Sequence, residues 1–157
     1  MNLMKFFFPL FTLFILTSSC DKNRIYEKNI DIANYEWTYE NAIKFEAEII
    51  DANPKNLFIN IRHTHFFEAR NIILKLEIES ANKEKLEQTI NIPLSEPNGM
   101  WYGECFGDIC DIQFPLKDYT SYSFPNMGKY TFTISQDMRI DPLPNVMSVG
   151  LRIENSN

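Results

Sequence analysis

The regular alternation of apolar and polar side chains from residue 43 onward is the feature that most constrains the fold of this chain. In six segments every second residue is apolar, and most of the residues between them are polar or charged. The segments are 43–49, 57–61, 72–78, 90–94, 130–134 and 149–153. A period of two is that of a β-strand with one buried face and one face in water. Such strands are typical of antiparallel sheets.

Turn-forming residues separate these segments. Clusters of Asn, Pro, Gly, Ser and Asp lie at 51–54, 80–83, 96–99 and 125–128, and such clusters favour tight connections. We therefore predict that residues 41–157 form one all-β domain, an antiparallel two-sheet sandwich of Ig-like or jelly-roll type with about seven or eight strands. A small closed barrel is the alternative. Within this domain, residues 79–88 are compatible with a short helical turn.

The N-terminal residues 1–19 have the features of a secretory signal peptide. Lys5 precedes an apolar run over residues 6–16, and small polar residues then lead into Cys20. The run of 11 residues is shorter than the roughly 20 that a membrane-spanning helix needs. The sequence before Cys20 is similar to a bacterial lipoprotein signal, which predicts that Cys20 is acylated and becomes the mature N-terminus. Ordinary signal cleavage near an unrelated cysteine is the alternative.

The charge balance determines which partners are plausible. The chain has 15 basic and 21 acidic residues, a net charge of −6, which becomes −7 when residues 1–19 and their single lysine are removed. This excess of acid argues against nucleic-acid binding and against attraction to anionic lipid, so membrane attachment has to come from the acyl group.

We predict a lipidated N-terminus and tether over residues 20–40, since residues 21–34 show no hydrophobic period. Surface-exported bacterial lipoproteins are associated with a run of acidic residues after the acylated cysteine. No such run follows Cys20, which favours a location facing the periplasm.

Cys105 and Cys110 are separated by four residues. A secreted chain matures where disulfides persist, and a hairpin would bring the two cysteines together, so a disulfide is the preferred interpretation and two unpaired thiols the alternative. A redox motif would have two intervening residues, so the spacing argues against oxidoreductase chemistry.

Other groupings of reactive side chains are weaker. His63 and His65 would share one face of a strand, but the nearest carboxylates, Glu68 and Asp51, have no metal-site spacing. We predict no metal, no cofactor, no catalytic residues and no small-molecule substrate.

Two further sets of residues have alternative interpretations. Four aromatic residues form either a sugar-stacking platform or part of the core, and core packing is preferred: Trp37, Trp101, Tyr102 and Phe106. Three arginines in or beside apolar strands either pair with carboxylates and backbone carbonyls or face a partner: Arg62, Arg139 and Arg152.

Several stretches, in their order and spacing, resemble the gliding-motility lipoprotein family GldH of Bacteroidetes. Besides Cys20 they are residues 45–51, 57–64, 66–72, 99–103, 107–109, 128–132, 136–143 and 149–154. Cys105 and Cys110 stand where the family pattern would have a Gly and an aromatic residue. The resemblance implies a periplasm-facing lipoprotein that is required for gliding, in machinery coupled to type IX secretion, with no enzymatic activity.

These observations lead to two functional hypotheses. The first is a non-enzymatic lipoprotein of the cell envelope, anchored to a membrane by its N-terminal lipid, which contacts other gliding and type IX secretion proteins through loops. The predicted contact residues are Trp101, Tyr102, Asp108, Met138, Arg139 and Asp141. The alternative is a carbohydrate-binding accessory lipoprotein of the cell envelope, with Trp101 and Tyr102 as its platform.

Overall fold

The computed structural model describes residues 22–156, and in this part of the chain the regular structure consists of antiparallel β-strands and two 3₁₀ turns. The strands are β1 (Arg24–Asp31), β2 (Glu36–Trp37), β3 (Ile43–Ile49), β4 (Lys55–Thr64), β5 (Asn71–Glu79), β6 (Lys85–Pro93), β7 (Glu104–Phe106), β8 (Ile109–Pro115), β9 (Gly128–Gln136), β10 (Leu143–Pro144) and β11 (Val146–Asn155). The 3₁₀ turns cover Ala33–Tyr35 and Lys117–Tyr119.

Two main sheets face each other. One has five strands in the order β1-β11-β4-β8-β7, and the other has four in the order β3-β9-β5-β6. The short strands β2 and β10 pair only with each other. The predicted all-β antiparallel two-sheet sandwich is confirmed, although the described residues contain eleven strands rather than seven or eight. The sheets stay separate and open at their edges, so the barrel alternative is wrong.

The core lies between the sheets and follows directly from the period of two. Along β3 each apolar residue is buried and each Lys or Glu between them is exposed, and β4 and β9 bury every second residue in the same way. Trp37, Phe45 and Phe132 are among the largest fully buried side chains. Burial of this much apolar surface is the main favourable term in folding.

Two local expectations were wrong. The tether predicted for residues 20–40 does not extend as far as expected, because Arg24–Asp31 form β1, which pairs along its length with β11. The sheet therefore begins four residues after Cys20. The helical turn considered for residues 79–88 is absent, since a short turn after Glu79 leads straight into β6.

The connections define two ends of the sandwich. The proximal end is the one at which β1 begins, and it contains residues 50–54, 80–84 and 116–127. The distal end is the one at which β1 ends, and it contains residues 32–42, 65–70, 107–108 and 137–142. No helix among residues 22–156 has the length and hydropathy to cross a membrane.

Candidate functional site

The hairpin formed by β7 and β8 is the most exposed apolar feature of the distal end. Phe106 pairs with Ile109 across a two-residue turn, and Gly107 takes a φ of +59° at the first turn position, where hairpin turns favour glycine. The Phe106 side chain is 93% exposed. A disulfide joins Cys105 to Cys110 directly behind the turn, so the exposed ring stands on a covalently closed hairpin.

The hairpin is also braced by the connection that follows β4. The backbone N–H of His65 donates to the carbonyl oxygen of Asp108 at 2.8 Å, and the His65 Nδ1 atom lies 3.0 Å from the Asp108 carboxylate. The His65 ring contacts that of Phe66, with 4.1 Å between ring centroids. The predicted contact residue Asp108 therefore holds the hairpin in place beside a second exposed aromatic ring.

Exposed apolar side chains are concentrated at the distal end. Of the eleven large hydrophobic residues exposed within residues 22–156, six lie in the distal connections or directly beside them, and three lie in or beside the proximal ones. The six are Tyr35, Tyr39, Phe66, Phe106, Ile109 and Ile140. Exposed apolar patches rimmed by polar groups are characteristic of protein-contact surfaces.

The predicted contact residues of the 138–141 loop also lie at the distal end, with different surroundings. Met138 is turned inward, since its sulfur accepts a hydrogen bond from the backbone of Ile73. Asp141 accepts a hydrogen bond from the backbone N–H of Tyr39 at 2.9 Å, whereas Arg139 is exposed. Of these three residues, Arg139 and Asp141 are exposed, whereas Met138 is half-buried.

Trp101 packs against the interior rather than standing on the surface. Its ring lies 4.6 Å from that of His63, centroid to centroid. His63 is buried on the inner face of β4, and its Nδ1 atom lies 2.8 Å from the carbonyl oxygen of Thr64. Trp37 is fully buried as well. The preferred core interpretation is therefore confirmed for Trp37 and in part for Trp101, and it is wrong for Tyr102 and Phe106, which are exposed.

Burial of His63 predicts a pH dependence of stability. Burial lowers the pKa of His63 below its ordinary value of 6.5, and the Thr64 carbonyl and the charge of Asp111 only partly offset this. His63 is therefore protonated at a higher pH in the unfolded chain than in the folded one. The free energy of unfolding consequently falls as the pH drops below about 6.5, with a slope of at most about 1.4 kcal/mol per pH unit.

Urea unfolding at pH 7.5 and 5.5 measures this dependence. The His63→Gln variant, which keeps a donor for Thr64, is expected to lose less stability than the wild type over that interval. Equal losses in both proteins would contradict the assignment.

The two histidines do not share a face, contrary to the sequence expectation. His63 points inward, whereas His65 follows the end of β4 and pairs with Asp108. Asp51 is at the proximal end beside Lys55. Among residues 22–156 no group of three or more His, Cys, Asp or Glu side chains is placed to hold a metal ion.

A polar groove of about 480 Å³ crosses the outer face of the five-stranded sheet. Its central row has one residue from each of four adjacent strands, in the register Asn29, Gly150, Asn60, Gln113. The Asn60 amide nitrogen donates to Asn29 Oδ1 at 3.2 Å, above Gly150, and the Gln113 amide nitrogen donates to Asn60 Oδ1 at 3.2 Å. Sequence analysis missed this row, which exists only because of the strand register.

An ionic row runs parallel to the amide row on its distal side. Arg62 donates two hydrogen bonds to the carboxylate of Asp111, at 2.7 and 3.0 Å, and this pairing raises the pKa of Arg62 further above its ordinary value. Asp31 and Glu104 occupy the two ends of the row, on β1 and β7. Arg62 therefore pairs with a carboxylate, one of the two roles expected for the strand arginines.

A second ionic cluster lies on the proximal side of the amide row. Arg152 contacts Glu27 at 3.0 Å and also pairs with Glu154. Burial of Glu27 opposes its ionisation, but hydrogen bonds from Arg24 and Asn60 and the charge of Arg152 outweigh that effect and lower its pKa. Arg152 therefore also serves the sheet structurally.

Gly150 makes the amide row possible, and its replacement tests the row. A Cβ atom at this position would lie 1.8 Å from Asn29 Oδ1 and 2.9 Å from the Lys28 carbonyl oxygen. We expect Gly150→Ala to lower the free energy of unfolding by about 1–3 kcal/mol, as overpacking does. Adding Asn29→Ala should recover part of the loss, because the clash with Lys28 remains.

Urea unfolding of the two single variants and the double variant measures this coupling. A Gly150→Ala protein as stable as the wild type would contradict the described packing of the Asn29 side chain.

A smaller cavity of about 260 Å³ opens at the proximal end. Aromatic side chains line much of it, and their rings contact one another edge to face, with 4.9 Å between the centroids of Tyr119 and Tyr122 and 5.0 Å between those of Tyr122 and Phe124. The hydroxyl of Tyr130 donates to the carbonyl oxygen of Asn126 at 2.9 Å. This cavity is part of the aromatic end of the core.

Comparison with known proteins identifies the family. The sequence model of the GldH lipoprotein family matches residues 24–153 of the chain. The chain belongs to the GldH lipoprotein family. The matched residues begin with β1 and end within β11, so the GldH family match covers nearly all of the described sandwich, including the groove and the hairpin.

Two curated relatives agree with the GldH assignment. The gliding motility lipoprotein GldH homolog of Christiangramia forsetii is 35% identical over 159 aligned positions, which cover 96% of this chain and 95% of that protein. The gliding motility lipoprotein GldH of Flavobacterium johnsoniae is 27% identical over 148 positions, which cover 89% and 90%.

The solved structures that align with this GldH-family chain have low structural and sequence similarity to it. A family GH115 4-O-methyl-α-glucuronidase with specificity for decorated arabinogalactans aligns with a TM-score of 0.43 and 11% identity, over 88% of this chain and 18% of the enzyme. A non-crystalline cellulose specific carbohydrate-binding module aligns with a TM-score of 0.37 and 6% identity, over 82% and 72%. These scores are too low to support any inference about ligands.

Proposed function

We propose that this protein is a lipoprotein of the cell envelope that is required for gliding motility and acts without catalysis of its own. It is anchored to a membrane through an acylated Cys20, faces the periplasm, and supports the gliding and type IX secretion machinery by contacting other proteins of that machinery. Family membership and the names of both curated relatives support the role in gliding.

The exposure of Phe106 is the observation that carries the proposed protein contact. Because Phe106 is 93% exposed, its apolar surface does not contribute the free energy that burial would give. The hairpin that presents it is closed by a disulfide and held by His65. A hairpin whose backbone is already held in place loses little conformational freedom when a partner covers it, which favours binding. Aromatic anchors of this kind dominate the energetics of protein interfaces.

The arrangement of the two ends fits this role. Cys20 lies four residues before the start of β1, which is at the proximal end, while the exposed aromatic rings are at the distal end. A lipid on Cys20 would hold the proximal end near the membrane and leave the distal end directed toward neighbouring proteins.

Gene deletion in a motile host tests the proposed function. Colony spreading should be lost, secretion of type IX cargo should fall, and the wild-type gene supplied in trans should restore both. The purified protein should show no hydrolase activity. Normal spreading of a clean deletion strain would contradict the proposal.

A further inference from the structure

We propose that the polar groove on the outer face of the five-stranded sheet binds a neutral, hydroxyl-rich glycan chain. This site is separate from the hairpin at the distal end and does not depend on the proposed protein contact. It also differs from a Trp101 and Tyr102 platform, because its floor is formed by amide side chains.

The dimensions of the groove suit an extended ligand. Its volume of about 480 Å³ is within the range of small-molecule sites, roughly 300–1,000 Å³. It runs across all five strands from Asp31 on β1 to Glu104 on β7. Neighbouring strands are about 4.8 Å apart, so the groove is about 19 Å long. A ligand would therefore lie across the strands and over the amide row.

The hydrogen-bonding groups of the amide row match hydroxyl groups. Each carboxamide has two donor hydrogens and an acceptor oxygen. Asn60 uses its amide nitrogen on Glu27 and Asn29 and its oxygen on Gln113, so the groups left for a ligand are those of Asn29 and Gln113. Within the described residues the amide nitrogen of Asn29 and the amide oxygen of Gln113 have no protein partner. A hydroxyl donates and accepts at one atom, so it can satisfy both kinds of group.

The charges in the groove favour a neutral ligand. The Asp111 carboxylate is already paired with Arg62 in a bidentate contact, and Asp31 and Glu104 leave the lining with a net negative charge. An anionic polysaccharide would meet these carboxylates, and like charges oppose binding. Tyr102, which is exposed, also lines the groove and adds an aromatic side chain to its polar lining.

A peptide strand is a poorer occupant of this site. Peptides that extend a sheet bind at its edge through unpaired backbone groups, whereas the groove floor is a sheet face. The backbone groups of β4 and β11 beneath it are used in pairing with their neighbouring strands. Ligand contacts would therefore come from side chains, as the amide row supplies.

Isothermal titration calorimetry of the mature protein, purified from host membranes in detergent, tests the site. The probes are the neutral hexasaccharides cellohexaose, chitohexaose and mannohexaose, with hexagalacturonic acid and hexalysine as charged comparisons. We expect at least one neutral probe to bind with a Kd of about 1 mM or tighter, and neither charged probe to bind more tightly.

Two groove variants and a matched control locate the binding. Asn60→Ala removes the amide that holds the side chains of Asn29 and Gln113 in place, and it should weaken the affinity for the neutral probe about tenfold. Gln113→Ala, at an exposed position, should weaken it in the same direction even if Asn60→Ala does not fold. Asn91→Ala removes an amide that accepts a hydrogen bond from Asn71 on the other sheet, and it should leave the affinity unchanged.

Three results would each overturn the proposal: binding of no neutral probe, binding of only a charged probe, or equal weakening of the affinity by Gln113→Ala and Asn91→Ala. Loss of glycan binding in a strain that still glides would leave the proposed protein contact standing.

Discussion

A strain whose only copy of the protein has the substitution Phe106→Asp is expected to lose colony spreading, while the isolated protein remains folded. The ring is 93% exposed, so its replacement should change the free energy of unfolding by no more than about 0.5 kcal/mol, as at other surface positions. A charge at the centre of an interface should cost at least about 2 kcal/mol of binding, roughly a 30-fold loss of affinity. Spreading assays and urea unfolding measure the two effects.

Leu86→Asp is the matched control for this substitution. Leu86 is also a large apolar residue, 55% exposed, and it lies on β6 near the proximal end. We expect this variant to spread like the wild type. A Phe106→Asp strain that also spreads normally, with the protein present at wild-type level, would remove the hairpin from the account.

The second large effect is expected at Cys20, which lies outside the described residues. Cells grown with an alkyne analogue of palmitate should label the wild-type protein, and Cys20→Ser should abolish that label completely. An acyl chain contributes about 0.8 kcal/mol per buried CH₂ to membrane affinity. The Cys20→Ser variant should therefore also lose the lipid that attaches the mature protein to the membrane, and with it the ability to support spreading.

The chain supplies its own control for the labelling experiment. Cys105 and Cys110 are joined in a disulfide, and the double variant Cys105→Ser/Cys110→Ser should keep the full label. Label that survives Cys20→Ser would show that acylation takes place elsewhere or that the predicted lipoprotein signal is wrong.

The sequence predicted the strands whose inner face is continuous. Strands β3, β5 and β9 each have at least three consecutive inward positions that are apolar and buried, so a period of two identifies them. Strand β1 was assigned to a tether because it is an edge strand with half-buried Ile25, Tyr26 and Ile30 among charged residues. An edge strand is buried less than a central one, so its composition shows the pattern weakly.

Strand β8 did have a detectable pattern that was overlooked. Cys110, Ile112 and Phe114 alternate with polar residues and point to the inner face, but the segment contains few of the aliphatic residues that mark the other strands. The short strand β7 has three exposed residues and no apolar period at all.

The groove could not be read from the sequence, because it depends on which strands are neighbours. Asn29, Asn60 and Gln113 are far apart along the chain and meet only through the register of β1, β11, β4 and β8. Gly150 was the one available signal, since a glycine within an apolar strand often marks close approach by another group. The inward position of His63, by contrast, was readable from the sequence, because it continues the period of two set by Leu57, Ile59 and Ile61 on β4.

The central claim is that the distal end of this protein contacts other proteins of the gliding and type IX secretion machinery. A photoreactive phenylalanine analogue placed at position 106 of the lipoprotein in intact, motile cells tests it most directly, with the same analogue at position 86 as the comparison. After illumination, mass spectrometry should identify a gliding or type IX secretion protein crosslinked through position 106 and not through position 86. No protein adduct at position 106, or the same adducts from both positions, would contradict the account.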